Sequence, residues 1–519
     1  MRLASSSARN CELGMTQDLG HFDLIVVGGG VNGAGIARDA VGRGLSALLC
    51  EKDDLAQGTS SRSGKLVHGG LRYLEYYEFR LVREALIERE VLLRSAPHII
   101  WPMRFVLPHS PEQRPAWMVR AGLFLYDHLG GRRILPPTRS LDLSTAPEGE
   151  PIRKDFKRAF EYSDCWVDDA RLVVLNAVDV RNRGGVVLTR TSLLSARRAG
   201  EDWRVDLRSG RDGRMLQATG KILVNAAGPW VDDVLRRAGR NVENRVRLVK
   251  GSHIVTPKFW SGDQAYLLQH SDKRVIFVNP YEGDLALIGT TDIPFEGRAE
   301  DARIDQSEIE YLLSVVNRYF DNAPKLEEVI HSFSGVRPLF DDKAANPSAV
   351  TRDYVLDLEA PAGQAPLLSI FGGKITTYRR LAEHALEKLS PYFPQMTGSW
   401  TKHTPFPGGD IPDADFSLFL QELRRRRPWL PQEVARGYAR RYGARVDSLL
   451  DGAKSIGDLG RLFGGTLYER EARFLAEEEW ATDAEDVLER RTKHALHLTD
   501  GQRADFTAWF EMFAPQTVL

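Results

Sequence analysis

The stretch 22–51 constrains the fold of this chain more than any other part of the sequence. An apolar run (24–27) enters a glycine-rich turn, a helix-compatible segment follows, and a second apolar run (45–50) ends at Glu51. The glycines stand at the G-x-G-x-x-G spacing and are Gly28, Gly30 and Gly33. They permit a tight turn and close approach of the backbone to a pyrophosphate, whose charge the helix N-terminus stabilises, while the acid binds ribose hydroxyls. This order of features predicts a dinucleotide-binding βαβ unit.

The composition indicates a globular protein of several domains. A chain of 519 residues has room for roughly two to four domains, and 42% hydrophobic with 27% charged residues is typical of chains with a sizeable core. The net charge of −1 argues against a dedicated nucleic-acid binder, so no nucleic-acid partner is expected. The three cysteines are widely separated and odd in number, which predicts neither a metal site nor a disulfide framework and favours the reducing cytoplasm.

The chain shows no sign of insertion across a membrane. No run of about 18 uncharged apolar residues occurs, so no membrane-spanning helix is predicted. The first 20 residues also lack the apolar segment that a secretory signal needs. Residues 1–19 are predicted to be a flexible tail, with Met15 as an alternative start.

The loop after the second apolar run departs from a nicotinamide-binding unit, in which strands and helices would go on alternating. Most residues of 58–64 are small or carry hydroxyls, and a histidine, two glycines and a long amphipathic helix follow. Such a loop can lie against a large flat ring and hydrogen-bond its heteroatoms through backbone groups and hydroxyls. The residues predicted to contact a cofactor here are Thr59, Ser60, Ser61, His68 and Gly69.

Ordered segments along nearly the whole chain then identify a family resemblance. They are HGGLRYLE (68–75), APHIIWPMRFVLPH (96–109), YSDCWVDDARLV (162–173), NAAGPWVDD (225–233), KGSHIV (250–255), IGTTD (288–292), SGVRPL (334–339), TRDYVLD (351–357), FGGKITTYRRLAEHALEKL (371–389) and PFPGG (405–409). From residue 22 onward the chain resembles the FAD-dependent (aerobic) glycerol-3-phosphate dehydrogenases, within the flavin oxidoreductases that include D-amino-acid and glycine oxidases. One departure is NAAG (225–228), where relatives often have NATG and only a small residue is expected to be needed.

The predicted fold class is α/β, or α+β overall. It consists of an FAD-binding Rossmann-like domain, a mostly antiparallel-sheet substrate domain and a helical C-terminal domain. The predicted boundaries are 20–90, 165–235 and 335–400 for the discontinuous FAD-binding domain, 91–164 and 236–334 for the substrate domain, and 404–519 for the helical domain. Alternating runs such as RVIFVNPY and DLALIGTTD are typical of the strands that would roof the site.

A late glycine pair completes the predicted cofactor site. LLSIFGG (367–373) predicts a buried strand, and the segment from Ile375 predicts a helix with apolar positions three and four residues apart. By the resemblance this helix N-terminus lies at the pyrimidine edge of the flavin, where it stabilises the negative charge of reduction. The resemblance implies non-covalently bound FAD, with further contacts from Gly228, Gly372, Gly373 and Thr376.

Cationic residues in the family segments are candidates for substrate binding. Arginine suits a phosphate because its planar fork makes paired charge-assisted hydrogen bonds, which makes Arg72, Arg337 and Arg352 candidates. Lys374 is predicted to contact substrate or polarise the flavin edge, and its alternative is an ordinary lysine at a helix start. Tyr73 either donates a hydrogen bond to substrate or packs under the sheet. Arg337 and Lys374 are also assigned to the catalytic centre.

His253 is the candidate general base. A neutral imidazole can accept the hydroxyl proton of the substrate's central carbon as hydride leaves that carbon. A single histidine between Ser252 and Ile254 on a strand also fits a structural role, and the resemblance supports the catalytic one. His68 competes for the role, although its position before two glycines favours a cofactor contact.

The resemblance implies oxidation of sn-glycerol 3-phosphate to dihydroxyacetone phosphate, with electrons passing from FAD to a membrane quinone. That acceptor requires a peripheral protein on the inner face of the cell membrane. Candidate contacts are the stretch 115–133, with Trp117, Met118, Leu123, Phe124 and Leu125, and the basic run 424–427. The same residues also suit a protein core and a solvated helix face, respectively. A homodimer is left open.

Three other functions share parts of this pattern. A glycerol-3-phosphate oxidase would use the same cofactor and phosphate clamp but would pass electrons to oxygen and make hydrogen peroxide. A flavin-binding scaffold without turnover would be expected to lack the glycine motif or the cationic residues, and both are present. An amino-acid oxidase would need a site for one carboxylate instead of several cations for a phosphate.

Overall fold

A computed structural model describes residues 16–110, 112–131, 134–241, 245–270, 272, 274–341 and 353–513 of the protein. Its strands are β1 (Gln17–Val27), β2 (Ala47–Cys50), β3 (Leu66–Val67), β4 (Ile100–His109), β5 (Arg139–Asp142), β6 (Arg158–Val167), β7 (Val186–Leu188), β8 (Thr191–Ala199), β9 (Asp202–Ser209), β10 (Met215–Asn225), β11 (Val246–Pro257), β12 (Ala265–Gln269), β13 (Val275–Tyr281), β14 (Leu285–Gly289), β15 (Ile293–Pro294), β16 (His331–Phe340), β17 (Val355–Glu359), β18 (Leu367–Phe371), β19 (Leu462–Gly464) and β20 (Leu467–Tyr468).

The α-helices follow the same order along the chain. They are α1 (Val31–Gly42), α2 (Phe79–Ser95), α3 (Ala116–Leu129), α4 (Asp169–Asn182), α5 (Val231–Arg237), α6 (Gln306–Tyr319), α7 (Tyr378–Leu389), α8 (Phe416–Arg426), α9 (Gln432–Tyr442), α10 (Val446–Leu449), α11 (Glu469–Glu478) and α12 (Asp500–Phe513). Among the described residues, no helix combines the length and the apolar character that crossing a bilayer requires.

The first sheet has a parallel centre with the strand order β17-β18-β10-β1-β2-β7. β1 pairs in parallel with β10 and β2, whereas β17 and the β8–β9 hairpin add antiparallel pairs. The run 24–27 is apolar throughout because both faces of β1 are covered. Leu24 and Val26 belong to the core formed with α1, α4 and α7, and Ile25 and Val27 to the core formed with β8, β9 and α5.

The second sheet is mostly antiparallel and has the order β15-β11-β14-β13-β12-β4-β6-β3, with β16 pairing β11 and β5 pairing β6. Its register decides which residues meet. His253 on β11 lies opposite Gly289 on β14 and Phe333 on β16, and Arg337 on β16 lies opposite Val249. The predicted antiparallel runs RVIFVNPY (274–281) and DLALIGTTD (284–292) contain β13 and β14 of this sheet.

Some chain segments cross the predicted domain boundaries, and the division itself stays a prediction. The boundaries after 164 and 334 fall inside β6 and β16, and β3, from the predicted FAD-binding segment 20–90, pairs with β6. The end of the predicted tail 1–19 is part of β1, which begins at Gln17 and pairs there with Leu216. Residues 1–15 lie outside the described part. The predicted helix from Ile375 begins at Tyr378, after a turn closed by Thr377 N–H donating to Lys374 O.

The C-terminal region from α8 onward is helical, with the short β19–β20 hairpin, and has an apolar core of its own. It packs against α4, where the Arg171 guanidinium donates to Glu479 Oε1 (3.0 Å) and to the Arg441 carbonyl oxygen (2.9 Å). Buried ion pairs as well as apolar contacts therefore join this region to the first sheet.

We expect Gly33→Ala to lower the free energy of unfolding by about 1–3 kcal/mol or more, because overpacking forces the backbone to shift. A Cβ at Gly33 would lie 1.9 Å from the Gly28 carbonyl oxygen. Gly501→Ala is the matched control, since Gly501 also lies in the first turn of a helix and its Cβ would meet nothing within 4 Å. Urea unfolding of both variants checks this, and equal midpoints would contradict the packing argument.

Candidate functional site

A cavity of about 950 Å³ lies between the two sheets and receives residues from both. Its wall includes the carboxyl ends of β1, β2 and β10, represented by Val27, Cys50 and Ala226. Ligands of open parallel sheets bind at this edge, where neighbouring strand connections leave on opposite faces. The cavity is therefore the candidate site.

The glycine turn shapes one part of the cavity wall. Gly28 has φ +114°, and a Cβ there would lie 2.5 Å from the Ala226 carbonyl oxygen. Gly30 is the N-cap of α1 and lines the cavity, and Ser60 Oγ accepts the Val31 N–H at 3.0 Å. Gly33 does not reach the wall but lets α1 pack directly on the turn. The helix N-terminus thus opens onto the cavity, as phosphate binding requires.

Glu51 stands at the end of β2 on the cavity wall. Its Oε2 accepts the Gly29 N–H at 2.6 Å and its Oε1 accepts the Asp53 N–H at 2.9 Å. Burial raises the pKa of this carboxyl to about 7, against the opposing effect of the two backbone donors. These two hydrogen bonds hold the carboxylate beside the glycine turn.

The hydroxyl loop (residues 58–64) and the His68-Gly69 segment after it contribute only part of their predicted residues to the wall. Thr59 and Ser60 line the cavity, and Thr59 Oγ1 donates to the Val336 carbonyl oxygen at 2.7 Å. Ser61, the last residue of the 3-10 helix Thr59–Ser61, does not line the cavity and instead borders a smaller pocket beside Arg490. Gly69 is also behind the wall, where its N–H donates to Tyr126 Oη at 2.7 Å.

The late glycine pair and the histidine loop meet on the wall. Gly372 and Gly373 have φ of +72° and +95°, and Asn32 Nδ2 donates to the Gly372 carbonyl oxygen at 3.0 Å. The His68 N–H donates to Thr376 Oγ1 at 3.2 Å. These residues line the cavity together with Gly228, so segments far apart in sequence form one surface.

Eight cationic side chains line the cavity, namely Lys52, Arg62, Arg72, Arg114, Arg237, Arg274, Arg337 and Lys374. Arg337 Nη1 donates to Asp292 Oδ1 at 2.7 Å, and Lys374 Nζ lies 4.0 Å from the centre of the Tyr73 ring. Arg72 and Lys374 have no carboxylate within ion-pair distance among the described residues. Cations without a counter-charge in a cavity are suited to an anionic ligand. Arg352 lies outside the described part of the chain.

The two candidate histidines line the same cavity in different surroundings. His253 stacks on Phe333 with ring centres 5.0 Å apart, and a Cβ at Gly289 would come within 2.2 Å of its ring. Burial, followed by the charges of Arg337 and Lys65, lowers the pKa of His253 to about 3. Burial also lowers the pKa of His68. Both imidazoles are therefore neutral near pH 7.

The sequence argument missed several wall residues, namely Asn32, Arg274, Phe277, Thr290 and Asp292. Thr290 and Asp292 belong to the family segment IGTTD and directly follow β14, which is the signal that could have found them. Asn32 stands inside the glycine motif, and its Oδ1 is buried without a hydrogen-bond partner. Arg274 and Phe277 carry no comparable local signal.

The residues present fit an extended cofactor with phosphates near its middle. A Cβ at Gly28 or Gly33 would clash with a backbone oxygen, so only glycine permits this turn at the cavity wall. The Asn32 Oδ1 beside it is buried without a partner, and Glu51 lies next to the same turn. The hydroxyl loop, which also contributes Arg62 to the wall, and the late glycine pair continue the surface toward the other cationic groups. FAD, expected from the resemblance, has this sequence of chemical groups.

Family models and curated relatives match nearly the whole chain. The model described as FAD dependent oxidoreductase matches residues 23–379, and the model for the C-terminal domain of alpha-glycerophosphate oxidase matches residues 399–516. The D-erythritol 1-phosphate dehydrogenase of Brucella abortus is 62% identical over 490 residues, covering 94% of this chain and 97% of that protein. The glycerol-3-phosphate dehydrogenase of Pseudomonas aeruginosa is 52% identical over 487 residues, or 93% of each chain.

A solved structure agrees with these matches. The glycerol-3-phosphate dehydrogenase from Bacillus halodurans complexed with FAD has a TM-score of 0.73 and 26% identity, covering 95% of this chain and 94% of that one. The predicted family resemblance, fold class and FAD cofactor are confirmed by these findings. The chain belongs to the family of FAD-dependent oxidoreductases.

Proposed function

We propose that the protein is a dehydrogenase of small phosphorylated polyols, with sn-glycerol 3-phosphate as the first candidate substrate and dihydroxyacetone phosphate as its product. The observation that carries the proposal is the group of cations from separate segments, Arg72, Arg337 and Lys374, on the wall of the FAD cavity. FAD, when bound, supplies the hydride acceptor. The cations bind the phosphate and hold the neighbouring carbon chain in the cavity.

Each site residue has a proposed part in this reaction. Arg337, oriented by Asp292, makes a forked contact to the phosphate, with Arg72 and Arg352 as further phosphate ligands. Lys374 and Tyr73, which contact each other, bind the substrate's oxygen atoms. The cofactor contacts are those of the glycine turn, Glu51, the hydroxyl loop and the late glycine pair. No covalent bond to FAD is proposed, so acid precipitation releases the flavin.

His253 is the proposed base. The pKa of His253 is lowered first by burial and then by two positive neighbours, of which Arg337 has the larger effect. A dianionic phosphate on Arg337 offsets that positive charge, so the pKa of His253 rises when substrate binds. The imidazole is then better able to take the hydroxyl proton. His68 is the alternative, since it lines the same cavity.

D-erythritol 1-phosphate is a second candidate substrate. The curated enzyme for that compound is 62% identical to this chain, compared with 52% for the glycerol-3-phosphate dehydrogenase of Pseudomonas aeruginosa. Both compounds combine a terminal phosphate with a neighbouring chain of hydroxyl-bearing carbons. The same cationic groups and the same base therefore serve either one.

The first test compares kcat/KM for the two phosphorylated compounds, with glycerol and erythritol as the unphosphorylated controls. A phosphate bound by charge-assisted hydrogen bonds contributes about 1.5–3 kcal/mol per bond, so each control should be at least roughly tenfold poorer than its phosphate ester. The ratio between the two esters identifies the preferred substrate. Equal rates for an ester and its parent polyol would contradict the phosphate site.

Arg337→Ala should raise the KM for the preferred ester by roughly 10- to 150-fold while FAD stays bound. The reason is the loss of a charge-assisted contact to the phosphate. Arg197→Ala is the control, since Arg197 lies on β8, is exposed and does not line the cavity. Steady-state kinetics together with the flavin absorbance measure both effects. Loss of activity through loss of FAD alone would place Arg337 in the cofactor site instead.

An apolar face beside the cavity supports a peripheral membrane location, and we propose the inner face of the cell membrane. Trp117 and Phe124 on α3 are 71% and 63% exposed, and Leu125 is exposed as well. A different side of α3 lines the cavity through Val119, Gly122 and Leu123, so Leu123, which the sequence also offered as a membrane contact, is buried instead. An interfacial helix of this kind would bring a membrane quinone to the site, which is the acceptor we propose.

Oxygen is the alternative acceptor, and the peroxide yield measured with and without added quinone distinguishes the two.

The basic run 424–427 gives less support to a membrane contact. Arg425 pairs with Glu422 at 2.8 Å and Arg426 pairs with Asp447 at 2.8 Å. Exposed arginines that are already paired on a helix surface are typical of a solvated face. We therefore place the membrane contact on α3 alone.

A Phe124→Glu/Leu125→Glu double variant should lose flotation with anionic liposomes, because charged side chains cannot insert among lipids. Met512→Glu is the matched control, since Met512 is 82% exposed on α12 in the C-terminal region. Flotation, the unfolding temperature and quinone reduction are measured for each protein. A wild-type protein that stays at the bottom of the gradient, with equal activity in the absence of lipid, would contradict the membrane proposal.

A further inference from the structure

The cofactor loop, defined as residues 51–65, follows β2 and supplies much of the cavity wall. Its lining residues include Gln57, Thr59 and Ser63. Two of its non-glycine residues, Ala56 and Lys65, have φ of +65° and +57°. Such conformations are sparsely populated and persist only where the surroundings determine them. The shape of the loop therefore depends on what holds it from behind.

The C-terminal region provides that support near the start of the cofactor loop. Asp54 is 1% exposed and points away from the cavity. Its carboxylate accepts from Arg490 Nε at 2.6 Å and from both terminal nitrogens of Arg491, at 2.6 and 2.8 Å. We name residues 483–493 the clamp turn. One loop carboxylate is thus bound by two neighbouring guanidinium groups from a segment more than 400 residues away.

Two further chains of hydrogen bonds, one through Arg190 and one through the start of α4, tie the clamp turn to the back of the loop. Arg190 Nη2 donates to Asp486 Oδ1 at 2.8 Å, while the Arg190 N–H donates to the Asp53 carbonyl oxygen at 2.8 Å. Lys493 donates to Asp168, the N-cap of α4. The adjacent Asp169 accepts from Ser63 Oγ and Lys65 Nζ, both at 2.7 Å. Both ends of the loop are therefore connected to the same turn.

The clamp turn does not touch the cavity. Among the described residues, none after Thr376 lines it. We propose that the clamp turn is a positioning element for FAD, which acts through Asp54 to hold the cofactor loop in its binding conformation. The C-terminal region then has a function in cofactor retention without contacting the cofactor. Residues held by buried charge-assisted hydrogen bonds keep the geometry that a binding site needs.

Asp54→Asn tests the proposal in the holoenzyme. The substitution keeps the size of the side chain and removes the charge that both arginines bind. Dilution of the yellow protein, followed by the rise in free flavin fluorescence, gives the rate of FAD release. We expect release at least roughly tenfold faster than in the wild type, the ratio that corresponds to one charge-assisted hydrogen bond. Excess FAD should restore kcat and leave the substrate KM unchanged.

Glu471→Gln is the matched control. Glu471 is also fully buried and accepts from Arg441 Nε at 2.7 Å and from Tyr442 Oη at 2.8 Å, but these partners all lie within the C-terminal region. Its loss should lower the unfolding temperature without speeding FAD release. Equal release rates for the two variants, or a wild-type rate for Asp54→Asn, would overturn the proposal.

Arg490→Gln is the second variant, in case Asp54→Asn does not fold. It removes one of the three hydrogen bonds to Asp54 and leaves the paired contact of Arg491 in place. We expect an intermediate rate of FAD release, between the wild type and Asp54→Asn. A rate equal to that of the wild type would also overturn the proposal.

Discussion

The close approach of α1 to the ends of β1 and β10 is the constraint on which the cavity depends. A Cβ at Gly28 would meet the Ala226 carbonyl oxygen, and a Cβ at Gly33 would meet the Gly28 carbonyl oxygen. Only glycine at these two places lets the helix start directly at the strand ends, with its N-terminus open to the cavity. Larger residues would move the helix away and remove the positive end of its dipole from the site.

The second sheet meets this surface with side chains that need space of their own. Glycines again make the space, since a Cβ at Gly251 would lie 2.9 Å from Arg337 Nη2 and one at Gly289 would overlap the His253 ring. Both glycines lie on strands next to the residue that they admit. The antiparallel register of β11, β14 and β16 thus determines both the position of the histidine and the position of the guanidinium.

Charge is distributed differently in the interior and in the cavity. Buried arginines such as Arg171 and Arg491 are paired with carboxylates, because an unpaired buried cation is costly. Lys374, by contrast, contacts the Tyr73 ring and has no ion pair among the described residues. The interior pairs join parts of the chain to one another, while Arg72 and Lys374 on the cavity wall remain available for a phosphate.

The sequence alone determined the βαβ unit, the family, the FAD cofactor and several cavity residues. The glycine spacing, the hydroxyl loop and the cationic family segments are local patterns, and a local pattern is read from neighbouring residues. It could not show that Ser61 and Gly69 stand behind the wall, because the local turns and hydrogen bonds of the folded loop decide which side faces the cavity.

Only the tertiary structure decided which distant residues meet. Asp292 reaches Arg337 across 45 residues, Asp54 reaches Arg490 across 436, and α3 exposes Phe124 while a different side of it lines the cavity. Such pairings depend on sheet register and on the packing of whole regions. The physical reason is that hydrogen bonds and burial act between surfaces, and surfaces brought together by folding leave no periodic trace in the sequence of either one.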